Sequence, residues 1–98
     1  MNRIKGRTFY DEKSGNSHEI SEFKDEDGLV KKIGIAEKGN WIFGNSKRRR
    51  ITVISGIIRI NGRKCQSKHK PKQRFIEPGE KIRLEVQTDT AAYICEYV

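Results

Sequence analysis

Arg50-Ile51-Thr52-Val53-Ile54-Ser55-Gly56-Ile57-Ile58-Arg59-Ile60-Asn61-Gly62 is the stretch that decides the architecture. β-Branched side chains recur through it with the two-residue period of a strand. Asn61-Gly62, placed after such a run, is the strongest short hairpin signal, because a type I′ turn needs positive φ at both central residues. Ser55-Gly56 reads as a second tight turn of the same kind. Alternation puts Arg50, Thr52 and Ile54 on one face and Ile51 and Val53 on the other, without saying which face lines the interior.

The same grammar extends in both directions. Pro78-Gly79 forms a turn before Lys81 to Gln87, where Ile82, Leu84 and Val86 share one face and Lys81, Arg83 and Glu85 the other. That is the pattern of a strand with one wet side. Thr88-Asp89-Thr90 reads as the next turn, and Ala91 to Val98 as the last strand, with Tyr93, Cys95 and Tyr97 on a common face. Upstream, Leu29 to Ile35 is a strand that the Glu37-Lys38-Gly39-Asn40 turn should end. Trp41-Ile42-Phe43 follows as a short apolar strand stopped at Gly44-Asn45, and His18 to Phe23 is a further strand before the acidic turn Asp25 to Gly28. Residues 1–17 are polar apart from Phe9-Tyr10 and form an N-terminal arm or an edge strand. No window carries apolar residues at i, i+3, i+4 and i+7, so no helix is predicted. Short strands with recurrent turn signals point to an all-β sandwich or barrel, a single domain over residues 18–98.

Composition narrows the function classes. A chain of 98 residues is one domain's worth, and with 34% hydrophobic and 35% charged residues its core must be thin. That suits a two-layer β structure or a shared dimer interface. No run approaches the ~20 apolar residues of a membrane span, and Met1 to Gly6 has no apolar segment behind its charges as a signal peptide would. The two cysteines, Cys65 and Cys95, are too few for the disulfide framework of a small secreted domain and form no C-x-x-C. These features predict a cytoplasmic protein. With only His18 and His69 in the chain, no metal site is expected; Cys65-x-x-x-His69 is the nearest approach to ligand spacing and has no second pair.

The net charge of +8 is unevenly placed. Between Lys47 and Arg74 lie eleven Lys or Arg and no Asp or Glu, while the rest of the chain sets ten cations against thirteen acids. A block of that kind attracts phosphate-bearing partners, or else keeps a lean protein soluble. Catalytic motifs are absent: Ser55 has no G-x-S-x-G around it, Asp25 and Asp27 sit on a turn beside Gly28, and neither a P-loop nor a G-x-G-x-x-G occurs. Trp41, Phe43, Phe75, Tyr93 and Tyr97 are interleaved with the basic segment and serve either the core or base stacking. From the residues alone this is a small basic all-β domain that binds something anionic.

Two runs carry the reading further. Gly39-Asn40-Trp41-Ile42-Phe43-Gly44, six residues of turn and Ile51-Thr52-Val53-Ile54-Ser55-Gly56 are followed by Phe75-Ile76-Glu77-Pro78 and a terminal Tyr93-Ile94-Cys95-Glu96-Tyr97. In order and spacing this resembles the cupin-type pyrimidine/purine nucleoside phosphorylases across about residues 18–98. The resemblance implies a cupin-like jelly-roll barrel, homodimeric and without the histidine metal cage of metal-binding cupins. It implies phosphorolysis of purine and pyrimidine nucleosides to free base and pentose 1-phosphate, with inorganic phosphate as co-substrate and no further cofactor. An enzyme of that kind needs an anion held inside the barrel. The candidate substrate-binding residues are therefore Trp41, Phe43, Arg50, Ser55, Arg59, Tyr93 and Tyr97, with Arg50 or Arg59 pointing inward. Four positions depart from the family's pattern: Arg49 replaces a glutamate, Ile51 the methionine before Thr-Val, Asn45 a threonine and Lys72 a glycine. The alternative is a non-catalytic cupin that binds an anionic ligand or nucleic acid through its basic segment 47–74.

Overall fold

Eight strands make up the computed structural model, which describes residues 2–98 and, among them, contains no helix. They are β1 (Asn2–Tyr10), β2 (Ser17–Lys24), β3 (Val30–Phe43), β4 (Arg49–Ser55), β5 (Ile57–Ile60), β6 (Arg63–Gln66), β7 (Gln73–Ile76) and β8 (Ile82–Tyr97). All pairings are antiparallel, in the order β1-β2-β3-β8-β4-β7, and β5 pairs with both β6 and β8. The all-β expectation is met.

The β5–β6 hairpin forms where Asn61-Gly62 placed it, with φ of 48° at Asn61 and 88° at Gly62. Asn61 also fastens the hairpin to its neighbour: its Nδ2 donates to the Lys81 carbonyl (2.9 Å), and its Oδ1 accepts from the Arg83 N–H (2.7 Å). Pro78-Gly79 makes its turn as well, the Glu80 N–H donating to the Glu77 carbonyl at 3.1 Å. Ser55-Gly56, by contrast, is not a hairpin. β4 pairs with β7 and β8 and β5 with β6 and β8, so the pair is a corner at which the chain changes layers. Gly56 is required there twice over: its φ is 74°, and a Cβ would collide with Thr88 Oγ1, the Thr90 carbonyl and the Ala91 side chain.

Two other expected turns prove to be bends inside long strands. β3 runs through Glu37 to Asn40, and β8 through Thr88 to Thr90. Their register shifts between Glu37 and Gly39, where the ladder resumes opposite Val86. The two irregularities face each other, so hydrogen bonding continues past both. Each also moves the inward set from even to odd numbers. Gly34 and Ala36 are buried before the bend and Trp41 after it; on β8, Ile82, Leu84 and Val86 give way to Ala91, Tyr93 and Cys95. The Thr88 hydroxyl stitches the bend to the corner, accepting from the Ile57 N–H (3.1 Å) and donating to the Thr90 carbonyl (2.7 Å).

This bent pair folds one sheet over itself. Ile51 and Val53 of β4 face Ile58 and Ile60 of β5, Cys65, Ile76 and the inward residues of β8 across a dry interior. Each buried aliphatic side chain there contributes about 1.5–3 kcal/mol relative to exposure. Both cysteines are free and buried. Residues 2–10 are an edge strand rather than a loose arm, β1 pairing along β2 as far as Tyr10 opposite Ser17; Met1 lies outside the described residues. No helix among the described residues is long and apolar enough to cross a membrane.

Candidate functional site

Side chains directly opposite one another on paired strands share a face, and on the concave face of β1-β2-β3-β8-β4 they form successive rows. The deepest row is Phe9, His18, Ala36 and Ala91, followed by Arg7, Ile20, Gly34, Tyr93 and Val53. Next comes Lys5, Glu22, Lys32, Cys95 and Ile51, and at the rim Tyr97 and Arg49. Polarity thus rises from floor to mouth. Between this face and Phe43, Gly44, Ile82 and Leu84 opposite lies a cavity of about 340 Å³, within the range of small-molecule sites.

The floor is built around His18, which is completely buried. Tyr93, Trp41, Phe43 and Phe9 surround its imidazole with ring centroids 5.1–6.4 Å away. Its Nε2 is 2.7 Å from the Tyr93 hydroxyl and its Nδ1 has no partner. Burial pulls the His18 pKa down to about 4, so the ring is neutral near pH 7. Burial raises the pKa of Tyr93, with the neighbouring Cys95 adding to the effect, so its phenol keeps its proton. Room for that phenol comes from Gly34: a Cβ at position 34 would collide with the hydroxyl-bearing edge of the Tyr93 ring. The floor therefore offers aromatic surface with one polar group, the Tyr93 hydroxyl.

The mouth is cationic. Lys5, Arg7, Lys32 and Arg49 line it, against a single carboxylate, Glu22. Glu22 lies 3.8 Å from Lys5 and 3.6 Å from Lys32. Arg49 has no carboxylate partner among the described residues. Its Nη1 sits 3.8 Å from Cys95 Sγ, its Nε is buried without an acceptor, and its guanidinium stands 4.8 Å from the centre of the Tyr97 ring. Burial pushes the Cys95 thiol up despite the pull of Arg49, so Cys95 is a neutral wall residue.

The candidate residues divide. Phe43 and Tyr93 line the cavity, and Tyr97 stands at its rim. Trp41 is core: it packs on His18 and its Nε1 donates to the Glu37 carbonyl at 3.1 Å. Ser55 is exposed at the layer-changing corner. Neither Arg50 nor Arg59 points inward. Ile51 and Val53 occupy the interior parity of β4, so Arg50 emerges on the outer face 3.0 Å from Glu96, and Arg59 reaches Glu85 at 3.6 Å on the outside of β5. The same parity turns Arg49 in. Arg49 stood out in the sequence as a departure from the family's pattern; the residues missed from sequence are Lys5, Arg7 and Phe9 of β1 together with Glu22 and Lys32. Their signal was a charge, or a lone aromatic, at every second position of weakly apolar strands.

The basic segment 47–74 is accordingly split. Arg48, Arg50 and Arg59 are tied to Glu77, Glu96 and Glu85, Arg49 enters the cavity, and Lys68, Lys70 and Lys72 are exposed on the β6–β7 loop. His69 is exposed on that loop while Cys65 is buried, and among the described residues no three His, Cys, Asp or Glu side chains converge as metal ligands do.

Comparison with known proteins follows the same lines. The family model described as pyrimidine/purine nucleoside phosphorylase matches residues 5–97, which includes β1 from Lys5 onward. A pyrimidine/purine nucleoside phosphorylase of Yersinia pestis is 32% identical over 69 residues, 67% of this chain and 72% of that protein. A Vibrio parahaemolyticus protein of unknown function superposes with a TM-score of 0.70 at 22% identity, covering 97% of this chain and 100% of its own. The EutQ protein of Clostridium difficile gives a TM-score of 0.67 at 20% identity over 96% and 80% of the two chains. These structural likenesses establish the cupin-like fold.

Proposed function

This chain belongs to the pyrimidine/purine nucleoside phosphorylase family, and we propose that it cleaves purine and pyrimidine nucleosides with inorganic phosphate, releasing the free base and a pentose 1-phosphate. One observation carries the reading: a cationic mouth set over an aromatic floor in a cavity of about 340 Å³. A nucleoside needs that division, since its base is flat and apolar-faced while the attacking phosphate is an anion.

In the reaction, a phosphate oxygen bonds to the sugar C1′ as the C1′–N bond breaks, and the bonding pair leaves with the base, which takes up a proton. Positive charge gathers on the sugar and negative charge on the base. Arg7 and Arg49 hold the phosphate against C1′, and Glu22 accepts hydrogen bonds from the sugar hydroxyls. Phe9, Phe43 and Tyr93 form the surface against which the base packs, and the Tyr93 hydroxyl donates to the departing ring. Groups fixed in a part-dry site need little reorganisation during reaction, and a single well-placed donor is worth about 10²–10³ in rate.

The split of the basic segment favours this reading over oligonucleotide binding. Three of its arginines are committed to carboxylates and a fourth is turned inward, which leaves the exposed Arg63, Lys64, Lys68, Lys70 and Lys72 as the cations an oligonucleotide would have to use. The test is base release from a panel of purine and pyrimidine nucleosides by the pure protein, with and without phosphate. Release that requires phosphate and yields pentose 1-phosphate is expected. No release, or release indifferent to phosphate, refutes the proposal, and salt-sensitive oligonucleotide binding in its place would favour the basic-loop alternative.

A further inference from the structure

One proton decides what the cavity floor can offer a ligand. His18 of β2 and Tyr93 of β8 meet across 2.7 Å, Nε2 to hydroxyl. Burial keeps the imidazole neutral, so it carries one proton for two nitrogens, and the phenol likewise keeps its own. Two arrangements follow. With the ring proton on Nδ1, Nε2 accepts from the Tyr93 hydroxyl, which then has no proton left for the cavity. With it on Nε2, the ring donates to Tyr93 and the phenolic proton must point elsewhere. The Nδ1 atom, buried without a partner, distinguishes them. It belongs to a fully buried ring enclosed by Phe9, Trp41, Phe43 and Tyr93. Phe9 and Phe43 carry no polar side-chain atom, and the Trp41 indole N–H is committed to the Glu37 carbonyl at 3.1 Å. A proton on Nδ1 would be a buried donor with no acceptor, whereas a bare Nδ1 is only an unused lone pair. Proteins leave buried N–H groups orphaned more rarely than acceptors. The ring proton therefore belongs on Nε2, the nitrogen that has a partner.

We propose that His18 is a positioning residue: it donates from Nε2 to the Tyr93 hydroxyl and so turns the phenolic proton into the cavity, where it selects bases with an acceptor beside the glycosidic nitrogen. The inference rests on the nucleoside reading above and adds what the floor recognises. Tyr93 borders the cavity and supplies the one polar group of its floor. Its hydroxyl has a single seat, with His18 Nε2 on one side and, on the other, the space that a Cβ at Gly34 would fill. A hydroxyl held in this way gives one hydrogen bond, so a floor that serves both base classes must meet an acceptor they share. Beside the glycosidic nitrogen every pyrimidine has its O2 carbonyl and every purine its N3, and both accept. One group thus serves purines and pyrimidines alike. The contact also strengthens as the C1′–N bond breaks, because the leaving base gathers negative charge.

Two measurements on the full chain test this, and neither needs turnover. Long-range proton–nitrogen NMR of the histidine-labelled wild type at pH 7 reads the tautomer without any substitution in the floor. The other histidine, His69, is exposed, and its signals are identified by their loss in His69→Gln. A protonated Nε2 and a bare Nδ1 are expected for His18. Calorimetry without phosphate then compares adenosine with 3-deazaadenosine, which lacks the N3 acceptor, and 7-deazaadenosine, which keeps it. The 3-deaza analogue should bind on the order of tenfold more weakly, the worth of one hydrogen bond, and the 7-deaza analogue as adenosine does. Tyr93→Phe should abolish the discrimination. His18→Leu should reduce it, and His18→Gln, whose amide N–H can still donate to Tyr93, should retain it. A protonated Nδ1 in the wild type, or equal affinity for adenosine and its 3-deaza analogue, overturns the proposal even in a protein that releases base. A protonated Nε2 with selective binding, in a protein that releases none, upholds it and refutes phosphorolysis alone.

Discussion

Acid should destabilise this protein through one buried imidazole, and His18→Gln should remove that sensitivity. In the folded chain burial holds the His18 pKa near 4, against the ordinary value of 6.5; in the unfolded chain it titrates at its ordinary value. Between these limits the unfolded state binds a proton that the native state does not, so stability rises with pH from about 4 to 6.5 and is flat above. The gap, at about 1.36 kcal/mol per pH unit, amounts to roughly 3 kcal/mol lost between pH 7 and pH 4. For a domain of this length, each kcal/mol moves the melting temperature by about 4–8 °C, which places the fall on the order of 10–20 °C. The cage explains why no compensation is available. Four aromatic rings and the Tyr93 hydroxyl surround His18, and none offers an anion. Glu37, whose carboxyl is held down by hydrogen bonds from the Ser17 N–H and hydroxyl, also loses its contribution as acid protonates it, as do Asp11 and Glu80. Those losses are common to wild type and variant and cancel in the difference. Urea melts of both proteins at half-unit steps from pH 4 to 7.5 measure that difference. Stability curves that run parallel across the window would refute the assignment of a neutral, trapped His18.

Gly34→Ala should displace Tyr93, since the new Cβ would collide with the hydroxyl-bearing edge of its ring, break its contact with His18 and cost on the order of 1–3 kcal/mol of overpacking in chemical denaturation; an unchanged midpoint would mean the phenol does not occupy that space. The outer face of the sheet carries Ile33, Ile35, Ile54 and Ile94, with Ile35 54% and Ile54 46% exposed, beside the Lys31–Glu96–Arg50 group. That group offers both signs of charge, as a two-fold self-contact requires. The protein should therefore sediment as a homodimer, and Ile35→Lys should shift it to monomer; a wild type already monomeric at micromolar concentration would dispose of this interface.

What could be read from the sequence was what is local. Asn61-Gly62 and Pro78-Gly79 specify their turns through their own φ preferences, and nothing distant needs to agree. Lys38-Gly39 and Thr88-Thr90 carry the same local marks yet lie within β3 and β8, because two irregularities placed opposite each other let the ladder resume. That coincidence is a property of the pair, and neither strand alone records it. Ser55-Gly56 failed as a hairpin for a related reason: β5 pairs with β6 and with β8, some twenty-five residues on, and not with β4, and Gly56 answers to Thr88 and Ala91 rather than to its own turn.

The site was illegible for the opposite reason, that its residues imitate a surface. β1 shows no buried face because its inward side, Lys5, Arg7 and Phe9, borders a cavity and not the packed core. Alternating charge and polarity then look like an unpaired arm. β4 held the information that was left unused. Once Ile51 and Val53 are taken as the buried pair, Arg49 shares their face, and a cation at the interior parity of a strand contradicts the burial pattern around it. Lys32 breaks the pattern in the same way two residues before Gly34, as does Glu22 two residues after Ile20. Arg50 and Arg59 attract notice because they sit in the best-formed strands, but each obeys its alternation and finds a carboxylate outside. Natural sequences depart from local consistency mainly where function requires it. In a lean barrel the useful question is therefore which charges point the wrong way, and Arg49 answers it with a buried nitrogen that has no acceptor.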